Sequence, residues 1–267
     1  MSLRISCLAP HPPLLIPGVA TREVELVEKT TEGMRELARR VVASSPDVVL
    51  FVSPHGRLFR DAFGVYSRPS FEGNMGKFGQ AGISYRAEGF PRLAQAIASA
   101  SSGAGLPVVF SDQNAPIPLD HGVLVPLHFL REAGYGGKIL PLTYSFLDRS
   151  SHWRFGEVIA EVLEEFEGRS AIVASGDLSH RLTPDAPAGF TPRGREYDEK
   201  ILSLLREERY REVCQLDEDL LEEAGECAFR SLLVMLGASP NFKPRFPSYE
   251  GPFGVGYATV TFEKMEE

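Results

Sequence analysis

The sequence predicts an α/β protein, a three-layer sandwich with a largely parallel or mixed central sheet and helices on both faces. Short apolar runs such as Val48 to Val52 are largely β-branched and too short for helices, as expected of parallel strands covered on both sides. Between them lie stretches whose apolar residues recur at helical spacing, and strands alternating with such helices build crossover sheets. The runs also end alike. Ile5 to Leu8 leads into Ala9-Pro10-His11, Val48 to Val52 into Ser53-Pro54-His55-Gly56, and Ala171 to Ala174 into Ser175-Gly176-Asp177-Leu178-Ser179-His180.

In chain order, the first strand is followed by a helix over about Thr21 to Val42, with Val24, Val27, Met34, Leu37, Ala38 and Val41 on its apolar face. The strand ending at His55 completes a βαβ unit. Arg57 to Gly89 is aromatic and glycine-rich without a clear period, which reads as short antiparallel strands and mobile loop near the site. Pro91 opens a helix over Leu93 to Ala100, because a missing N–H is no loss in the first turn. Val108 to Phe110 is a short strand. Pro116 and Pro118 then enforce an extended approach to Asp120-His121-Gly122, where a helix begins and runs to about Ala133, with His128 as a packed or rim residue inside it. Ile139 to Thr143 is a strand, and Ser150 is the expected cap of a helix with Phe155, Val158, Ile159, Val162, Leu163 and Phe166 inward and His152 at the surface. Turn residues between Arg181 and Arg195 read as a loop over the site. Helices follow over about Arg195 to Glu207, from about Asp217, and from Glu226-Cys227 to Leu236. Asn241 to Pro252 reads as loop, and Gly254 to Phe262 as an edge or closing strand. No repeat, low-complexity segment or linker breaks the 267 residues, so one domain over 1–267 is expected.

A net charge of -8 and a pI near 5.4 argue against nucleic acid or an anionic membrane as partner, since both call for basic surface. Cys7, Cys214 and Cys227 are odd in number and unpatterned, which suits a reducing compartment. The N-terminus lacks the basic flank and long apolar region of a signal peptide, and no run reaches the ~20 apolar residues of a membrane span. A soluble, cytoplasmic protein is expected.

A histidine at a strand end can simply cap the strand or hydrogen-bond a loop. Three of six histidines ending three strands point further, because a parallel sheet aligns its carboxyl ends along one edge where ligands bind. Neutral imidazoles from separate strands suit a divalent transition metal, and two His with one carboxylate leave positions open on Fe(II). No Cys pair closes a structural zinc site, and no G-x-S-x-G elbow, P-loop or G-x-G-x-x-G fingerprint is present.

APHPPLLIPG around His11, SPHG at His55, LDHG at His121, SGDLSH at His180 and EAGEC before an apolar helix together resemble the class III extradiol ring-cleavage dioxygenases of the catalytic B-subunit type and their Memo-like relatives. The resemblance covers nearly the whole chain. It implies that His11, His55 and Glu226 are ligands of a non-haem Fe(II), with zinc or another divalent metal as alternatives. It implies further that His180 shuttles a proton, that His121 contacts substrate or oxygen, and that Asp177 is a pocket acid. The implied reaction opens a catechol-type diol with O2 in aromatic compound catabolism, with a small accessory subunit or self-association possible. Memo-like members carry a Cys at the third ligand position, so Cys227 is the alternative to Glu226, and a metal-binding redox or protein-interaction protein is the alternative function. Metal-assisted hydrolysis with zinc stays open on residue types.

Overall fold

The structure, a computed structural model, describes residues 2–19, 24–111 and 118–264. Its strands are β1 (Leu3–Ala9), β2 (Val48–Ser53), β3 (Phe63–Tyr66), β4 (Ser70–Met75), β5 (Gln80–Glu88), β6 (Val108–Ser111), β7 (Lys138–Thr143), β8 (Ser170–Ser175), β9 (Lys243–Glu250) and β10 (Tyr257–Glu263). Its helices are α1 (Glu28–Ala43), α2 (Pro91–Gly103), α3 (His121–Glu132), α4 (Arg149–Glu164), α5 (Pro192–Arg206), α6 (Tyr210–Val213), α7 (Glu218–Ala224) and α8 (Phe229–Ala238). Eight strands form one mixed sheet in the order β6-β3-β7-β2-β8-β1-β10-β9, and β4 and β5 pair separately. The central four, β7, β2, β8 and β1, are parallel, while β3 and β10 flank them antiparallel.

The predicted three-layer sandwich is what the chain forms. Along β2, Val48, Leu50 and Val52 join one apolar cluster with residues of α2, α4, α5 and α8, whereas Val49 and Phe51 join a second with residues of α1 and α3. This period-two division, with every β2 residue buried, is the signature of a strand covered on both faces. Because β1, β2 and β8 are adjacent and parallel, their carboxyl ends open at one place. The topology thus delivers the His11, His55 and Asp177–His180 loops to a single edge.

Several sequence expectations need correction. Asn241 to Pro252 is largely strand β9, and β10 is interior, paired to β1 on one side and β9 on the other. Pro244 and Pro247 hid β9, yet proline is tolerated on an outer strand, which needs only half of its backbone bonds. The cap of α4 is Asp148, which accepts from Ser151 N at 2.7 Å, while Ser150 Oγ donates to that same carboxylate at 2.8 Å. His152 is fully buried, its ring nitrogens 2.7 and 3.0 Å from Asp148 O and Ser145 O, because α4 turns its first turn onto the end of β7. The aromatic stretch splits. Phe63, Tyr66 and Phe71 are core, whereas Phe78 at the β4–β5 tip reaches His121. The expected helix start at Thr21 and the proline at 116 lie outside the described residues; among the described residues no helix is long and apolar enough to cross a membrane.

Helices α4 and α8 touch backbone to backbone. A Cβ on Gly156 would lie 2.0 Å from Val234 O, and one on Gly237 would lie 2.2 Å from Trp153 O. Carbonyls inside helices cannot swing aside, so Gly156→Ala should destabilise the protein by about 1–3 kcal/mol, outweighing the ~1 kcal/mol that alanine gains in a helix interior. Urea unfolding checks this as a lower midpoint at unchanged slope.

Candidate metal centre

His11 leaves β1 into a pocket where it is 2% exposed. Its Nδ1 lies 2.8 Å from Ser175 Oγ, at the end of β8, and that hydroxyl donates its single proton to Gly122 O at 2.5 Å. Ser175 Oγ therefore acts as acceptor toward the ring. The proton of His11 sits on Nδ1, and Nε2 presents a lone pair to the cleft. The backbone of His11 is held as well, its N–H donating to Asp177 Oδ1 at 2.9 Å.

His55 follows β2 and is exposed, its Nε2 standing 3.0 Å from that of His11. Ser53 Oγ accepts from His55 N at 3.2 Å and donates to Asp120 Oδ1 at 2.6 Å. Asp120 caps α3, its Oδ1 also accepting from Gly122 N at 2.8 Å, and so places His121 in the first turn. The His121 ring stacks on His55 at 4.2 Å between centroids and meets Phe78 edge-on at 5.2 Å.

Asp177 and Cys227 approach the same nitrogen of His11. Asp177 Oδ2 is 3.9 Å from His11 Nε2 and 3.9 Å from His180 Nε2. Cys227 Sγ is 3.6 Å from His11 Nε2 and accepts from Asp177 N at 3.2 Å. A close backbone crossing sets this up, since a Cβ on Gly176 would lie 2.2 Å from Ala228 Cα. Across it Cys227 N and Ala228 N donate to Asp177 O at 3.2 and 3.1 Å.

Among the described residues, two groups bring ligand atoms within 4.8 Å of one another, His11 with His55 and His121, and His11 with Asp177 and Cys227. They share His11. Glu226, expected beside His11, belongs to neither group; its Oε2 accepts from Phe229 N at 2.5 Å in the opening turn of α8. Its neighbour Cys227 faces the histidine instead. Of the other histidines, His180 has an Nδ1 that is buried without a hydrogen-bond partner among the described residues, and His128 lies apart, paired with the Tyr85 hydroxyl at 2.9 Å.

Burial sets the protonation. It lowers His11 well below the ordinary histidine range, helped by His55 and His180, and lowers His121 to about 3, helped by His11 and His55. Burial also lowers His55, against the pull of Asp120 and Asp177. It raises Asp177 to about 6, raises Glu226 to about 7, and pushes the Cys227 thiol well up. The cleft thus holds neutral imidazoles beside an acid and a thiol that retain protons readily. Lone pairs of N, O and S converging without a cation of their own fit a divalent transition metal, which would draw those protons off. The separation of the two Nε2 atoms is near the ~3.3 Å between nitrogens each about 2.0–2.1 Å from one tetrahedral ion.

Sequence reading did not single out Ser53, Ser175 or Asp120. The signal was present: the serines open the SPHG and SGDLSH motifs, and the aspartate precedes the histidine of LDHG.

The profile of a family described as the catalytic LigB subunit of aromatic ring-opening dioxygenase matches residues 6–260. Protein CA_C1420 of Clostridium acetobutylicum is 33% identical over 271 residues, covering 98% of this chain, which spans only 58% of that protein's length. The 3,4-dihydroxyphenylacetate 2,3-dioxygenase of Escherichia coli is 27% identical over 220 residues, 77% of this chain and 78% of the enzyme. The crystal structure of the uncharacterized Escherichia coli K12 protein JW3007 superposes with a TM-score of 0.69 at 18% identity, over 97% of this chain and 99% of that one, a likeness of fold.

Ser175→Ala should leave the fold intact and weaken metal binding by about 10–100-fold, because the ring of His11 then loses the partner that fixes its tautomer. Competition with a chromophoric chelator measures the affinity, and circular dichroism the fold.

Proposed function

The chain belongs to this family, and from that premise we propose that it is a metal-dependent extradiol dioxygenase that opens a catechol-type aromatic diol with O2, using Fe(II). The observation that carries the reading is the pair of imidazole Nε2 atoms 3.0 Å apart at the ends of two parallel strands, β1 and β2, that flank β8, with His180 and Asp177 beside them. Fe(II) held there would supply the chemistry that activates a diol and dioxygen. His11 and His55 would hold it, with the third donor from Cys227 or Asp177, which approach the same His11 Nε2, rather than from Glu226, whose carboxylate accepts from Phe229 N.

The remaining roles belong to the chain's own groups. His180 would take a proton from a diol hydroxyl and return it to the opened product, a role often worth roughly two to four orders of magnitude in rate. Asp177 stands 3.9 Å from His180 Nε2, and is itself held by the amide of His11. The His121 and Phe78 rings make an apolar wall suited to a flat aromatic substrate. The family description names a subunit, so a small accessory partner or self-association belongs to the same proposal. The three unpaired cysteines agree with a cytoplasmic setting.

One observation favours a second reading. A thiol beside His11 is a softer donor than the expected carboxylate and suits copper(I) or zinc, as in a Memo-like redox or protein-interaction protein.

Anaerobic reconstitution with Fe(II), then oxygen uptake over a panel of catechols with appearance of yellow ring-opened product, tests the first reading. In the reconstituted protein, His180→Gln should lower turnover at least 100-fold with metal retained, and His55→Ala should lose the metal. Retained tight metal with no oxygen uptake across the panel would support the second reading.

Metal affinity should rise with pH between 6 and 8. Imidazoles lowered in the fold are already neutral there, whereas the Cys227 thiol, pushed up by burial, must release a proton on binding, giving about tenfold per pH unit. Calorimetry in buffers of different ionisation enthalpy reads the proton directly. Cys227→Ser should flatten the slope and weaken binding at least tenfold, while Glu226→Gln should leave it within twofold; the reverse pattern would return the third position to Glu226.

A further inference from the structure

The turn that presents Asp177 and His180 is fastened on both flanks. On one, Leu178 N donates to Gly256 O and Gly256 N donates to Ser179 O, both at 2.8 Å. On the other, His180 N and Ser179 Oγ donate to Ala224 O at 3.1 and 3.0 Å. At its middle lies a carboxylate on α5 that the proposed chemistry does not use. Asp198 Oδ1 accepts from Ser179 N at 2.8 Å, and Oδ2 accepts from the Tyr249 hydroxyl of β9 at 2.7 Å.

This carboxylate is an expensive way to fill space. Asp198 is 0% exposed, and burial raises it to about 7. The Ser179 amide, the Tyr249 hydroxyl and the charge of Arg195 all work against that rise without undoing it. Burying a carboxylate whose hydrogen bonds come from two neutral donors is costly, and an apolar side chain of equal volume often packs in such a place at no loss of stability. What an apolar residue lacks is direction. The two oxygens of Asp198 point to two elements, the site turn and β9, and fix their spacing. The chain also passes close against it, for a Cβ on Gly256 would lie 2.0 Å from Asp198 Oδ2. Glycine at 256 therefore leaves room for the carboxylate and lets residue 256 hydrogen-bond the turn.

We propose that Asp198 is a positioning residue for His180, holding the Ser179 amide and the Tyr249 hydroxyl so that the Asp177–His180 turn is clamped between Ala224 and Gly256 with the imidazole aimed into the cleft. It touches neither metal nor substrate. The proposal rests on the dioxygenase reading for the role of His180, but the clamp itself is independent of it.

The test uses the full chain with three variants and three readouts. Asp198→Leu removes both acceptors, Asp198→Asn keeps an oxygen for the Ser179 amide, and Tyr249→Phe removes only the second donor. Amide hydrogen exchange is followed at residues 178–181, Fe(II) or Zn(II) affinity is measured by competition, and steady-state kinetics are run on whichever catechol the wild type turns over. Asp198→Leu should speed exchange at Ser179 and His180 at least tenfold and lower kcat at least tenfold, with KM and metal affinity within twofold. Asp198→Asn should restore most of kcat and of the protection. Should Asp198→Leu fail to fold, Tyr249→Phe carries the same comparison with changes of about threefold. Unchanged exchange at Ser179 and His180 would overturn the proposal, as would a fall in metal affinity that matches the fall in kcat, which would mark a general collapse of the site. A wild type that turns over no catechol would defeat the dioxygenase reading alone, because exchange and metal affinity still decide the clamp.

Discussion

A serine hydroxyl has one proton, and in this fold the destination of the Ser175 proton governs the site. It goes to Gly122 O, in the first turn of α3, so the oxygen can only accept from the imidazole of His11. One hydroxyl thereby ties β8, β1 and α3 together and leaves the inner nitrogen of His11 with a free electron pair. Buried polar groups are costly unless matched, and here the matching specifies a protonation state as well as a position. The same logic repeats one strand over, where Ser53 bridges the His55 backbone to Asp120, and Asp120 caps the helix that starts with His121.

Two close backbone approaches complete the arrangement. Gly176 packs on Ala228, and Gly256 packs on the Asp198 carboxylate, each at a separation that excludes a Cβ. The first draws the start of α8 against Asp177, so of two adjacent ligand-type residues the thiol of Cys227 meets His11 while the carboxylate of Glu226 turns back to cap its own helix. Both residues precede α8, where the Asp177 carbonyl holds the amides of Cys227 and Ala228 while the Glu226 carboxylate accepts from Phe229 N. The second holds the turn that bears His180.

The electrostatic state follows from depth. Imidazoles below the surface of the cleft lose affinity for protons, while the acid and thiol beside them gain it. Such a site exchanges protons for a cation. It therefore couples occupancy to pH, through the acid and the thiol rather than through the histidines that do the binding.

Much of this was legible in the chain itself. Val48 to Val52, too short for a helix and apolar on both faces, announced a covered parallel strand, and three strand-like runs ending in His11, His55 and the Asp177–His180 loop announced a shared edge, because parallel strands must end together. Other features were not legible. Strand β9 was hidden by Pro244 and Pro247, since outer-strand tolerance of proline depends on having no further neighbour. His152 read as a surface residue because nothing local shows that the first turn of α4 folds onto the end of β7. The sequence by itself determined which residue types could meet at the sheet edge, through periodicity and strand order. Only the tertiary structure decided which of Glu226 and Cys227 faces His11 and which nitrogen of His11 is free, because both depend on contacts between segments more than fifty residues apart, whose geometry no local pattern encodes.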